Sequence, residues 1–353
     1  MPAAPEDLEP LVDQAALAGY LRERLPEIFR GIGPFDVRRH MAGHSNETFF
    51  VRAGEHHFVL RRPPRGAFLP TAHDVAREFR VLSALVHTPV RAPRPLLLCE
   101  DPGVIGAPFY LMERVEGAVI RQDLPAFAAD EAARPGIGGQ LVDALVELHA
   151  VDWRAAELEG FGKPAGYLER QVRRWRGQLA LTEPLTRRLD DLHAAGKWLD
   201  DRWRSLPESP PTIVHGDYKL DNVAFALDRP ARLTAILDWE MSTLGDPLAD
   251  VGWMLSFWRE AGDPVEFLMD EQTVTRAAGF QSRDQLLDRY RERSGRAVAD
   301  LTFYLVLAVW KLAILLEGSY ARHLAGMTDD PFFSHMKDGV PALARRAVEL
   351  TRS

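Results

Sequence analysis

The sequence predicts an α+β protein in two lobes, a small β-rich lobe over 1–113 and a larger, mainly helical lobe over 114–353. Three observations carry that expectation. Strand-like runs occupy 47–53, 56–62 and 109–113, with a single helical period between the second and third. Beyond Glu113-Arg114-Val115-Glu116-Gly117 the pattern changes to long helical periodicities. Two short apolar runs interrupt those helices, 212–214 and 233–237, and each ends in a polar cluster containing aspartate. A chain of 353 residues, 46% hydrophobic and 27% charged, is large enough to bury a core without disulfide or metal staples. There is no internal repeat or long linker, so the lobes are expected to pack together.

In chain order, the N-terminal residues are read as a helical extension of the first lobe. Glu6, Asp7, Glu9 and Asp13 exclude the basic and apolar regions of a signal peptide from 1–13. Gly43-His44-Ser45-Asn46 lies between two strand-like segments, and Pro63-Pro64-Arg65-Gly66 reads as a loop. A helix follows over 74–86 with Asp74 as its N-cap. Val75, Phe79 and Leu82 share its buried face, and Glu78 falls on the edge of that face. A carboxylate there needs Arg61 at the end of the preceding strand, a neighbouring Arg77 or Arg80, or water. Helices are expected over 138–149, 168–179, 185–205, 284–294 and 301–324. The most apolar part of the last, 301–316, is interrupted by Lys311 and too short to span a bilayer without it, so it reads as a buried helix and no membrane partner is expected.

Composition narrows the setting. The net charge of −8, from 43 basic against 51 acidic residues, argues against nucleic acid as a partner. Cys99 is the single cysteine, which excludes an intrachain disulfide and a multi-cysteine zinc site, and fits a reducing, cytoplasmic location.

The chemistry is concentrated in two clusters. His215-Gly216-Asp217-Tyr218-Lys219-Leu220-Asp221-Asn222 follows one apolar run, and Asp238-Trp239-Glu240 follows the other. A carboxylate shortly before an asparagine on a tight loop, with a second carboxylate at the end of a nearby strand, suits phosphoryl transfer. One aspartate orients or deprotonates an attacking hydroxyl, and the asparagine and second aspartate offer hard oxygen ligands to Mg2+. The plainer alternative is a turn with a buried aspartate and a capping asparagine.

His215-Gly216-Asp217 with Asn222, then Ile236-Leu237-Asp238-Trp239-Glu240 and Gly245-Asp246-Pro247-Leu248-Ala249-Asp250, resembles the aminoglycoside phosphotransferase-like branch of the protein-kinase-like fold, from about residue 39 onward. The resemblance implies Asp217 as catalytic base, Asn222 and Asp238 as Mg2+ ligands, and ATP as phosphoryl donor. Lys219 replaces the histidine common there and is similar to the protein-kinase Asp-x-Lys pattern, in which the ammonium offsets charge on the transferring group. Ser45 and Asn46 would cover phosphates, although that loop is poor in glycine. Arg61 stands where the family usually has a lysine for the phosphates, pairing with Glu78, and a planar guanidinium is no simple replacement. Backbone groups of Glu113 and Val115 would meet the adenine edge. Asp250 would cap a helix or hold the catalytic loop. His149 and His193 have no ligand partner at helical spacing and are expected to be structural or solvated.

The acceptor is expected to be a small-molecule hydroxyl compound. Leu168, Val172, Trp175 and Leu179 form one face of the 168–179 helix, with Arg170, Arg173 and Arg174 opposite and Arg176 flanking. That is either a solvated basic face or a grip on phosphates of a large anionic substrate. Tyr167-Leu168-Glu169-Arg170-Gln171-Val172-Arg173-Arg174-Trp175, the segment from Leu237 to Pro247, and Arg293-Ser294-Gly295-Arg296 resemble the kinase-like domains of acyl-CoA dehydrogenase family members ten and eleven. This closer likeness implies a hydroxyacyl-CoA acceptor, and because 353 residues leave no room for a fused dehydrogenase a stand-alone kinase domain is expected. An aminoglycoside or other small-alcohol kinase is the alternative within the class. An ATP-binding regulatory pseudokinase is the alternative outside it, motivated by Arg61 and the glycine-poor loop.

Overall fold

The computed structural model describes residues 11–31, 33–40, 46–64, 74–207, 209–228, 230–264, 274–327 and 330–352. Ser45, Arg65 and Gly66 lie outside the described residues, as does the start of the N-terminal segment. The chain forms two compact units, Met1–His87 with Ala92–Val115, and Thr88–Arg91 with Glu116–Ser353. These differ from 1–113 and 114–353 chiefly in Thr88–Arg91. Arg91 belongs with the larger unit because its guanidinium binds Glu147 at 2.7 Å and its carbonyl accepts from Ile236 N–H at 2.7 Å.

In the smaller unit, helices α1 (Gln14–Arg24) and α2 (Pro26–Phe29) precede strands β1 (Phe35–His40), β2 (Glu47–Ala53) and β3 (His56–Arg62). Helix α3 (Val75–Leu85) and strands β4 (Pro95–Cys99) and β5 (Phe109–Glu113) complete it. The sheet is antiparallel, in the order β1-β2-β3-β5-β4. Along β2 the inward residues alternate, Phe49, Val51 and Ala53, as a pleated strand requires. Leu17 and Leu21 of α1 and Phe29 of α2 cover Phe49, Val51, Phe58, Leu60, Phe109 and Leu111. Strand β3 is buried from Phe58 to Arg62. Its alternation sends Phe58, Leu60 and Arg62 to one face and Val59 and Arg61 to the other.

Asp74 caps α3 by accepting from Arg77 N–H at 3.0 Å. Val75, Glu78, Val81, Leu82 and Leu85 are its buried residues, while Phe79 is only partly buried. Glu78 therefore occupies the middle of the inner face, not its edge, because Val81 and Leu85 turn that face past Phe79.

The larger unit contains β6 (Ala118–Val119), α4 (Arg134–His149), α5 (Tyr167–Thr182), α6 (Asp190–Arg202), β7 (Thr212–Val214), β8 (Val223–Phe225), β9 (Leu233–Ile236) and β10 (Thr243–Gly245). Helices α7 (Leu248–Phe257), α8 (Arg283–Ser294), α9 (Leu301–Leu324) and α10 (Met336–Leu350) follow. The helix expected over 185–205 is shorter. Thr186 leaves the helical region at φ −132°, ψ −89°, and Arg187 turns away to bind the buried Glu317 at 3.1 Å and the Met336 carbonyl at 2.9 Å. Helix α9 is long and apolar enough to cross a membrane, which corrects the length judged from its Lys311 break. It packs against α5, α6, α7 and α10, and 61% of its most apolar window is buried, as in the core helix of a globular unit.

Helices α7 and α9 meet at Gly252, where an added Cβ would lie 2.7 Å from the Tyr304 backbone. Gly252→Ala must push the helices apart and is expected to cost about 1–3 kcal/mol. Urea unfolding checks this; an unchanged midpoint would show that the contact yields freely.

Candidate active site

The residues 215–222 connect β7 to β8, and 237–242 connect β9 to β10. Strands β7 and β10 pair with each other, as do β8 and β9. The two polar clusters are thus held side by side by four short strands. His215 fastens one loop to the other. Its Nε2 lies 2.9 Å from the Leu237 carbonyl, and its Nδ1 is 3.3 Å from Asp217 N–H. With the proton on Nε2, both contacts are hydrogen bonds of a neutral ring. Leu237 N–H donates to the Asn222 carbonyl at 2.8 Å. Gly216 has φ +86°, and a Cβ there would lie 2.6 Å from the Met241 carbonyl, so this crossing of the loops requires glycine.

Asp250, in the first turn of α7, holds the loop from beneath. One carboxylate oxygen accepts from His215 N–H at 2.7 Å and the other from Gly216 N–H at 2.8 Å. His149 Nε2 lies 3.3 Å from the first oxygen, and Nδ1 faces the Tyr290 hydroxyl at 2.8 Å. Burial holds the His149 imidazole below its usual range, so it serves as a neutral donor to Asp250. Burial alone would raise the Asp250 carboxyl; the bonds from His149 and the Gly216 N–H outweigh it and keep the group below the usual carboxylate range. The expectation of a cap or a loop hold thus resolves as a loop hold. His149 is structural, and His193 pairs with Glu183 at 2.9 Å.

Asp217 is gripped at both carboxylate oxygens. Trp253 Nε1 donates to Oδ1 at 2.7 Å, and Asn222 Nδ2 donates to Oδ2 at 2.7 Å. Burial pushes its carboxyl above the usual range; Lys219 opposes the shift while Asp221 and Asp238 add to it. Lys219 Nζ sits 3.1 Å from Asp221 and 5.0 Å from the Phe257 ring centroid. Asp238 has φ +62°, one of three non-glycine positive values among the described residues. Such a conformation is retained at functional positions by the surrounding structure. Asn222 commits its NH2 to Asp217, so the amide oxygen is its remaining ligand atom. That oxygen and the Asp238 carboxylate are both hard oxygen donors, the type that Mg2+ prefers.

In the smaller unit Arg61 NH1 lies 3.5 Å from Glu78, whose side chain is 1% exposed. Tyr110, opposite Arg61 in the β3–β5 register, donates to the same Glu78 oxygen at 2.6 Å. Asn46 Nδ2 donates to the other at 2.8 Å. Asn46 therefore supports the ion pair. Glu113 N–H bonds the Arg94 carbonyl at 2.9 Å and its carboxylate meets Arg94 at 2.5 Å. Arg114 N–H bonds the His57 carbonyl at 3.2 Å, and Val115 ends the unit.

The arginines of α5 lie outside its buried Leu168, Val172, Trp175 and Leu179 face. Arg170 donates to the Lys163 and Ala165 carbonyls. Arg173 and Arg174 are exposed, the first 3.5 Å from Glu169 and the second over Trp175. Arg176 pairs with Asp200. Tyr110 and Trp253 carry no motif that signals these contacts. Lys311, which in the sequence is a break in an apolar run, donates through Nζ to the Gly216 carbonyl at 2.7 Å.

Residues 36–293 match the model of a family described as "Phosphotransferase enzyme family". The chain is 35% identical over 318 residues to the mouse protein named acyl-CoA dehydrogenase family member 10, covering 89% of this chain and 29% of that protein. It is 32% identical to human acyl-CoA dehydrogenase family member 11, covering 96% of this chain and 43% of that protein. The chain thus spans less than half the length of either relative. Among solved structures, a putative aminoglycoside phosphotransferase from Ralstonia eutropha is similar with a TM-score of 0.79 and 31% identity, covering 97% of this chain and 98% of that one.

Asp250→Ala removes the acceptor of two buried N–H groups, each worth on the order of 1–3 kcal/mol. Because the folded-state value is depressed, the contribution of the carboxylate is full above about pH 4, where the unfolded group is ionised, and fades as pH falls through the folded value. Denaturant midpoints should show a large gap between wild type and Asp250→Ala at neutral pH that narrows in acid. A gap that stays constant into strong acid would contradict the ionised clamp.

Proposed function

The chain belongs to the phosphotransferase enzyme family, and from that premise we propose that it transfers the γ-phosphoryl group of ATP, with Mg2+, to the hydroxyl of a hydroxyacyl-CoA. The observation that carries the reading is the Asp217 carboxylate, fixed by Trp253 at one oxygen and Asn222 at the other. Each oxygen keeps a lone pair for an acceptor hydroxyl. In the transfer the acceptor O–H proton passes to Asp217, the acceptor oxygen bonds to phosphorus, and the bond to the departing ADP oxygen breaks. A carboxylate whose proton affinity is raised by burial is a better general base than one in water.

Asn222 and Asp238 would hold Mg2+, which when bound offsets phosphate charge. Lys219 contributes positive charge on the same loop, buffered by Asp221. Arg61, oriented by Glu78, is assigned to the nucleotide phosphates, with the backbone of Glu113 and Val115 assigned to the adenine edge. The acyl-CoA part of the reading is supported by the names of the relatives and by Arg173 and Arg174, exposed cations on α5 suited to the phosphates of a CoA. Arg170, bonded to carbonyls, shapes the start of that helix.

ADP release tests this with Mg·ATP and a hydroxybutyryl-CoA in one arm and an aminoglycoside in the other. Release should rise with the acyl-CoA; a rise with the aminoglycoside alone would overturn the acceptor. Asp217→Asn is expected to lower turnover by about 100-fold or more while leaving ATP affinity within a few-fold. Near-native turnover in Asp217→Asn would remove it as the base.

A further inference from the structure

Helix α9 carries Lys311 within its apolar run, in the part of the helix that faces α5 and α7. Its ammonium donates to the Gly216 carbonyl at 2.7 Å. It also lies 4.3 Å from the centroid of the Trp253 ring and 5.9 Å from that of Trp175. Tyr167, Gln171, Trp253 and Tyr304 share with it the lining of a small cavity beside Gly216 and Asp250. No step of the proposed transfer uses this lysine.

Two of these contacts, to the Gly216 carbonyl and to Trp253, converge on Asp217. The Gly216 carbonyl belongs to the peptide whose N–H is that of Asp217, and that N–H is held by His215 at 3.3 Å. Lys311 therefore secures the oxygen of a peptide whose nitrogen is already tied. Trp253 is the residue that donates to Asp217 Oδ1. A cation over the face of an indole attracts it electrostatically and is worth more where water is excluded. One ammonium thus bears on the backbone leading into Asp217 and on the ring that aims its carboxylate.

We propose that Lys311 is a positioning residue for the catalytic carboxylate, fixing the Gly216 carbonyl and the Trp253 indole together. The assignment rests on Asp217 being the base. The charged and titratable groups around it support the cost of burying an amine there. Asp217 on the loop and Asp250 on α7 favour its charge, Arg174 on α5 opposes it, and burial pulls it down to about 8. Tyr167 on α5 and Tyr304 on α9 itself complete the surroundings.

The test compares wild type, Lys311→Met and Lys311→Arg as full chains. Amide hydrogen exchange over 215–222, without nucleotide or acceptor, should be at least about ten-fold faster in Lys311→Met and return toward wild type in Lys311→Arg, while β2 and β3 keep their protection. In the ADP-release assay with Mg·ATP and hydroxybutyryl-CoA, Lys311→Met should lose kcat by roughly 10- to 100-fold with the KM for ATP unchanged. Lys311→Arg, which keeps the charge and donors, should recover much of the loss. Unchanged exchange over 215–222 in Lys311→Met would overturn the proposal. Equal loss of protection in Lys311→Arg and Lys311→Met would also overturn it, since shape alone would then explain the site. If the wild type releases no ADP with any acceptor, the proposed function fails, and the exchange data still decide the role of Lys311.

Discussion

A buried carboxylate at Asp250 is the constraint on which the chemistry of the larger unit depends. Its oxygens satisfy two consecutive backbone N–H groups that a tight loop would otherwise leave unpaired, and leaving such groups buried and unbonded is costly. Because those groups belong to His215 and Gly216, the bond that stabilises the loop also fixes the position of Asp217. His215 extends the constraint to Leu237 and hence to Asp238. Four strands of three or four residues offer few ladder bonds with which to hold two loops in register. A charged acceptor at the start of α7 supplies what they lack.

The smaller unit has its own polar centre, independently built. Strand parity sends Arg61 away from the apolar core that receives Phe58 and Leu60, and Glu78 stands at the middle of the inner face of α3. Asn46 and Tyr110 also donate to that glutamate. Donors on both of its oxygens hold in place the side chain that faces Arg61.

Much of this was legible in the sequence because local pattern and tertiary role agree. The strand-like runs of β2 and β3, the Asp74 cap and the apolar strands before each aspartate cluster led directly to the observed elements. The pairing of Arg61 with Glu78 followed from the need of a buried carboxylate for a cation. Other features depend on contacts that no periodicity records. Helix α7 is buried along nearly all its length and so has no amphipathic stripe to announce it. The helix expected over 185–205 breaks because Glu317, far along the chain, claims Arg187. The place of Asn46 in a loop suggests phosphates for its backbone but says nothing of its side-chain amide, which donates to Glu78. Trp253 and Lys311 acquire their roles only when α7 and α9 pack under the catalytic loop. Lys311 left one sequence signal, a charge in an otherwise apolar helix.

The central claim is that Asp217, held in this frame, directs a phosphoryl group onto a carbon-bound hydroxyl. Phosphorus NMR of the protein with Mg·ATP and a hydroxyacyl-CoA measures the destination of that group directly. The account predicts a new phosphomonoester resonance growing in step with ADP as the γ-phosphate signal of ATP falls. Conversion of the γ-phosphate to inorganic phosphate alone, or an unchanged ATP spectrum with every hydroxyl acceptor supplied, would contradict it.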